Sequence, residues 1–134
     1  MEKPELTDIV NEQMPLGATL GIRTFGGADE VEAMLQWAPE LCTANGVLHG
    51  GVLMALADSA GATCAFLNLP AGAGTATIES KTNFFGAVRE GEVTARSRPL
   101  HVGRTTIVVE TDLLDASGRR VARTTQTQAV LEGN

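Results

Sequence analysis

The sequence predicts an α+β domain in which an antiparallel sheet wraps one long central helix. Three observations carry that expectation. The stretch from Gly50 to Phe66 has almost no polar face, and a helix that is apolar all round must be covered on several sides. Two strand candidates lie before it, between Thr19 and Trp37, and four lie after it: Thr75–Phe85, Glu92–Leu100, Arg104–Leu114 and Arg119–Leu131. Short turn sequences, Arg89-Glu90-Gly91 and Asp115-Ala116-Ser117-Gly118, link the later strands as a meander.

Each element has a local reason. Pro4 suits the first turn of a helix, and Leu6, Ile9, Val10 and Met14 then fall on one face. Pro15 and Gly17 are expected to end it, so residues 1–16 read as an N-terminal helical extension of a single domain spanning 1–134. Val31, Ala33, Leu35 and Trp37 alternate with Glu32, Met34 and Gln36, behind a hairpin turn at Gly26-Gly27-Ala28-Asp29. Residues 38–49 read as a loop into the helix, and Leu69 to Gly74 as a loop out of it. In the last strand Val121, Arg123, Thr125, Thr127 and Ala129 alternate with Ala122, Thr124, Gln126, Gln128 and Val130. Trp37 is expected to cap the core. Of the adjacent Phe84 and Phe85, one is expected to face the core and the other a different surface, such as a subunit interface.

Composition narrows the function. At 134 residues, 43% apolar and 19% charged, the chain has the balance of one globular core. Its net charge is −6 and its ten basic residues are scattered, which excludes the concentrated basic face a nucleic acid needs. Arg96, Arg98, Arg119, Arg120 and Arg123 read as ordinary exposed strand residues. The opening MEKPELTDIV is acidic and lacks an apolar signal core, so a cytoplasmic protein is expected. Gly50 to Pro70 is only weakly polar, but Asp58 at its centre argues against a membrane span. Cys42 and Cys64 have no metal-ligand spacing and read as free thiols; with two histidines in all, no metal site is expected.

The informative segment is Asn45-Gly46-Val47-Leu48-His49-Gly50-Gly51-Val52, followed by Ala57-Asp58-Ser59. Two glycines at a helix start permit close backbone approach and leave free N–H groups at the positive end of the helix dipole. Such donors can polarise a thioester carbonyl and hold the oxyanion formed on attack. The plainer alternative is a tight loop-to-helix turn. Asp58 lies in mid-helix among Leu53, Met54, Ala55, Leu56, Ala57, Ala60 and Ala62, so burial is expected; a carboxylate there is either paired or kept for function. Its structural alternative is a hydrogen bond to a neighbouring strand or a subunit contact. Gly50 and Asp58 are eight residues apart, about 12 Å along a helix axis. One helix cannot bring both to the same carbon, so a shared site requires two copies related by a two-fold axis.

With these residues the sequence resembles the hotdog-fold acyl-CoA thioesterases of the 4-hydroxybenzoyl-CoA and phenylacetate-pathway branch, over residues 17–131. The resemblance rests on His49-Gly50-Gly51 with an acid nine positions after the histidine. Thr75-Ala76-Thr77-Ile78, Asn83-Phe84-Phe85, Arg89-Glu90-Gly91-Glu92 and Arg98-Pro99-Leu100-His101-Val102-Gly103-Arg104 support it, the last two being similar to the 1,4-dihydroxy-2-naphthoyl-CoA thioesterases. The resemblance implies an acyl-CoA substrate, no separate cofactor, and a homodimer or a dimer of dimers, with a homotetramer expected. It implies Asp58 as nucleophile or general base, Gly50 N–H on the thioester oxygen, His49 lining the site and Thr77 orienting water or substrate. Asn45 and Gly51 would border the substrate, Phe84 the acyl or pantetheine groove, and His101 and Arg104 the coenzyme A moiety.

Two positions depart from the family pattern. Thr43 stands six residues before the histidine, where many relatives have Asn or Gln; Asn45 is two residues out of register. Ala62, with Thr63 beside it, stands four residues after the acid, where Ser or Thr follows glutamate in part of the family. Two other readings remain: a hotdog dehydratase acting on acyl thioesters, and a non-catalytic protein binding acyl-CoA or aromatic ligands.

Overall fold

The computed structural model describes residues 3–133, with side chains from Leu6 onward. Helices α1 (Lys3–Gln13) and α2 (Pro15–Leu20) open the chain, followed by strands β1 (Arg23–Gly26) and β2 (Val31–Gln36). Two short 3-10 turns, Pro39–Leu41 and Ala44–Gly46, lead into α3 (Gly50–Phe66). Strands β3 (Gly74–Phe84), β4 (Glu92–Val102), β5 (Thr106–Leu114) and β6 (Arg120–Leu131) complete it. All six strands form one antiparallel sheet in the order β1-β2-β4-β5-β6-β3, wrapped around α3. This is the hotdog fold.

The core forms where the period-two faces of the sheet meet the helix. Val31, Ala33 and Leu35 of β2, Val93 and Ala95 of β4, and Ile107, Val109 and Leu113 of β5 are fully buried. They pack with Leu53, Leu56, Ala57, Ala60 and Cys64 of α3. Each large side chain so buried contributes about 1.5–3 kcal/mol relative to an exposed one. Trp37 packs half-buried against this cluster and donates from Nε1 to Gly46 O at 3.0 Å. The opposite face carries charge in compensating pairs: Arg96 with Glu32, Arg98 with Glu110, and Arg123 with Asp112 at 2.8 Å.

The N-terminal helical region runs further than the sequence predicts. Pro15 ends α1 but starts α2, because it lacks the N–H a helix interior needs while its fixed φ suits a first turn. The stop comes at Gly21, which takes the left-handed conformation (φ 72°) and donates to Ala18 O. Thr19 is therefore helical, and β1 begins only at Arg23. On α1, Val10 is buried and Leu6 and Met14 are half-buried as expected, but Ile9 is exposed. Phe84 and Phe85 are both exposed, so neither enters the core; Arg120 lies 5.8 Å from the Phe85 ring.

The two edges of the sheet are treated differently. Side chains of α1 cover β1: Thr7 Oγ1 accepts from Thr24 N and donates to Thr24 O, and Asn11 Nδ2 donates to Ile22 O. At the other edge β3 pairs, among the described residues, with β6 alone, and most of its residues are exposed, including Ile78.

Candidate active site

The start of α3 is a capped turn built by three adjacent residues. His49, extended at φ −61° and ψ 134°, is the N-cap, and its Nδ1 accepts from Gly51 N at 2.8 Å. An accepting Nδ1 places the proton of the neutral ring on Nε2. A Cβ on Gly51 would stand 2.9 Å from that Nδ1, so glycine is what lets the ring fold over the helix end. His49 O accepts from Val52 N and Leu53 N, Leu48 N donates to Val88 O, and His49 N donates to Leu41 O. Gly50 N–H alone in this stretch has no acceptor among the described residues. It is a free donor at the positive end of a 17-residue helix. The Phe84 ring lies over Gly50, with its Cζ 3.3 Å from where a Cβ would be.

Asp58 is not buried, contrary to expectation. The sheet covers α3 on most sides but leaves open a stripe containing Gly51, Met54, Asp58 and Phe66, and the carboxylate lies on that stripe. It accepts from Gln126 Nε2 of β6, at 3.2 Å from Oδ1. The strand partner weighed as a structural role is therefore present, and the opposite side of the carboxylate faces outward. Since α3 is unbroken from Gly50 to Phe66, the two residues remain about 12 Å apart along one axis.

Thr77 is exposed on β3, opposite Gln128 of β6, and its Oγ1 accepts from Gln128 Nε2 at 2.7 Å. Beside it a cavity of about 480 Å³ opens between α1, the second half of α3 and the start of β3. Leu6, Val10, Met14, Ala62 and Phe66 give it apolar walls, and Gln128 and Thr77 a polar end. Ala62 is one helical turn beyond Asp58, which does not itself line the cavity. Among the described residues no charged side chain lines it.

The remaining candidates are dispersed within one chain. Asn45 sits in a left-handed turn (φ 65°), exposed, near neither Gly50 nor Asp58 in hydrogen-bonding terms, and Thr43 is exposed beside it. His101 and Arg104 are exposed at the β4–β5 connection. The register from Val102 through Ile107 and Gln128 to Thr77 puts that connection at the Thr77 end of the sheet, without contact to Asp58. The sequence reading missed Gln126, Gln128 and Gly61. The sequence shows only that the two glutamines share a strand face with Ala122 and Thr124; that both are 1% exposed appears only in the fold. Among the described residues no group of three His, Cys, Asp or Glu could hold a metal ion, and no helix is long and apolar enough to cross a membrane.

The profile of the thioesterase superfamily matches residues 45–122, more than half of the chain and the whole segment from Asn45 through Asp58 to β6. The chain belongs to the thioesterase superfamily. Among its relatives is a 1,4-dihydroxy-2-naphthoyl-CoA hydrolase of Escherichia coli, 30% identical over 105 residues that cover 78% of this chain and 77% of that protein. The proofreading thioesterase EntH of Cronobacter turicensis is 32% identical over 113 residues, covering 84% and 82%. The crystal structure of a Haemophilus influenzae thioesterase superposes with a TM-score of 0.90 at 28% identity, covering 98% of this chain and 92% of that one. This thioesterase is thus a thioester hydrolase by family, and its fold is that of its relatives.

Proposed function

We propose that the chain hydrolyses acyl-CoA thioesters at sites shared between two copies, with Asp58 supplied by one and Gly50 N–H by the other. The single observation that carries this reading is their separation. A free amide donor and an outward-facing carboxylate, about 12 Å apart on one rigid helix, can meet at one carbonyl only across an interface.

The edges of the sheet support such a pairing. A long uncovered edge strand with exposed apolar side chains invites a second strand. Strand β3 is such an edge, with Ile78 and Phe84 on it and Phe85, Met54 and Phe66 nearby in the fold. Two-fold pairing of β3 with its copy would set two α3 helices antiparallel and form two equal sites; dimers could pair again as tetramers.

In the proposed reaction the thioester carbonyl oxygen accepts from Gly50 N–H, which stabilises the oxyanion as it forms. Asp58 either attacks the carbonyl carbon itself or takes a proton from the water that does. Collapse breaks the C–S bond, and the coenzyme A sulfur leaves and is protonated. Where water attacks, the free acid forms directly. Where Asp58 attacks, the acyl group stays on it as a mixed anhydride that water then hydrolyses to the free acid and the regenerated carboxylate. His49 and Gly51 shape the oxyanion end, Asn45 borders it, and Thr77 orients water or substrate beside the cavity. The apolar walls of the cavity suit an apolar acyl group. Phe84 flanks the groove, and His101 and Arg104 offer donors and charge to the coenzyme A phosphates. Coenzyme A enters as part of the substrate, so no separate cofactor is invoked. The proposed compartment is the cytoplasm, whose reducing poise suits the two free thiols.

Release of free thiol from a panel of acyl-CoAs tests the activity. Asp58→Asn is expected to lower kcat by at least about a hundredfold with the melting temperature unchanged. Retention of activity in that variant would remove Asp58 from the mechanism. Tight binding of acyl-CoA without thiol release would make the chain a binding protein instead.

A further inference from the structure

We propose that Gln126 is a positioning residue whose buried side-chain amide holds the Asp58 carboxylate in its working orientation. This rests on Asp58 being the catalytic carboxylate, as proposed above.

Three observations converge on the amide. Gln126 is 1% exposed, yet its Nε2 reaches the open stripe of α3 and lies 3.2 Å from Asp58 Oδ1. Reversing the amide would set its oxygen against a carboxylate oxygen, so the nitrogen is the atom that faces Asp58. Its Oε1 is buried with no hydrogen-bond partner among the described residues. A buried acceptor without a donor is destabilising, and an apolar side chain of similar size would remove that penalty. The third observation is Gly61, in the middle of α3. A Cβ there would fall on Gln126 Oε1. Glycine inside a helix is unfavourable, and here it leaves the space the amide occupies.

Gln128, two residues along on the same strand face, is the internal contrast. Its Nε2 donates to Thr77 Oγ1, and Thr75 Oγ1 lies 3.1 Å from its Oε1. Both ends have a partner, Oε1 sharing the Thr75 hydroxyl with Ala129 O at 2.9 Å, as expected of a residue that helps hold the sheet. Among the described residues the Gln126 side chain has one hydrogen-bond partner, Asp58. A mid-helix glycine and an orphaned carbonyl both weaken the fold, and what they yield is one N–H directed at the carboxylate. The bond occupies Oδ1 and fixes the plane of the group, leaving Oδ2 for the water or the thioester carbon. That is preorganisation, which acts on the chemical step more than on binding.

Thiol release from octanoyl-CoA and benzoyl-CoA, with melting temperatures of the same preparations, tests the assignment. Gln126→Leu and Gln126→Met remove the donor in two shapes, so one can be read if the other folds poorly. Each is expected to lose about tenfold in kcat, with KM within about twofold and a melting temperature equal to or above wild type. Gln128→Leu should instead lower the melting temperature. In the Asp58→Asn background, Gln126→Leu should cost nothing further, since it acts only through Asp58. Wild-type kcat in both Gln126 variants beside an inactive Asp58→Asn would overturn the inference while leaving the catalytic carboxylate in place. So would a Gln126→Leu loss that multiplies with that of Asp58→Asn. If Asp58→Asn itself stays active, the proposed function fails first and the role of Gln126 falls with it.

Discussion

At the scale of single residues, burial and partners separate groups that composition treats alike. Cys42 and Cys64 are both free thiols, but Cys64 is fully enclosed between α3 and the sheet. Burial pushes its thiol up to about 11, since the interior penalises the thiolate. At pH 8 an aromatic disulfide reagent is therefore expected to reach the half-buried Cys42 in native protein and Cys64 only after denaturation. Immediate reaction of two thiols per native chain would show that α3 opens readily. Asp58 was legible in the sequence because a lone carboxylate stands out in an apolar run. Gln126 was not, because a glutamine in a polar strand looks ordinary until its neighbour across the core is known. Whether Asp58 would be buried was misjudged for the same reason: exposure depends on which side of the helix the sheet leaves open.

At the scale of elements, α3 shows why helix limits can be read so closely. The glycines at its start and the loss of apolar pattern after Phe66 are local signals, and both limits agree with the structure. The N-terminal region was less legible, because proline signals a helix end and a helix start with equal force. The outer sheet face yields a prediction about pH. Burial alone would raise the carboxyl of Asp112 on β5, but the hydrogen bond and charge of Arg123, with the charges of Arg120 and Arg98, outweigh it. Its carboxyl thus lies below its ordinary 3.8 in the folded chain. A depressed folded value contributes stability above the unfolded value, and that contribution is lost as pH falls through the folded one. Asp112→Asn should lower stability by about 1 kcal/mol at neutral pH. The gap to wild type should narrow as the pH falls below 3.8, which denaturant titrations at pH 7 and pH 3 would measure. An equal gap at both would show that Asp112 acts through packing.

At the scale of the whole molecule, the unequal edges of the sheet make association the central question. The shared-site proposal has a quantitative consequence. Asp58→Asn and Gly50→Pro each disable both sites of a homodimer. In a mixed dimer one site receives both lesions and the other receives an intact glycine and an intact aspartate. Random reassembly of equal amounts should restore roughly a quarter of wild-type thiol release. Circular dichroism of the proline variant checks that the helix start survives, as first-turn proline allows. Verified mixed dimers that stay inactive would mean the two residues do not serve a common carbonyl.

By itself the sequence determined α3 and the six strands in their order, though not α2, because a helix without a polar face and strands of period two are local properties of the chain. It also singled out His49, Gly50, Gly51 and Asp58, since glycines at a helix start and an acid in an apolar run are local as well. Only the tertiary structure decided which side of α3 stays uncovered, that α1 seals one sheet edge while β3 is left open, and that Gln126 reaches Asp58 from a strand 68 residues away. Those are matters of register and of which faces meet across the core. A one-residue shift of β6 would turn Gln126 and Gln128 outward without altering any local pattern.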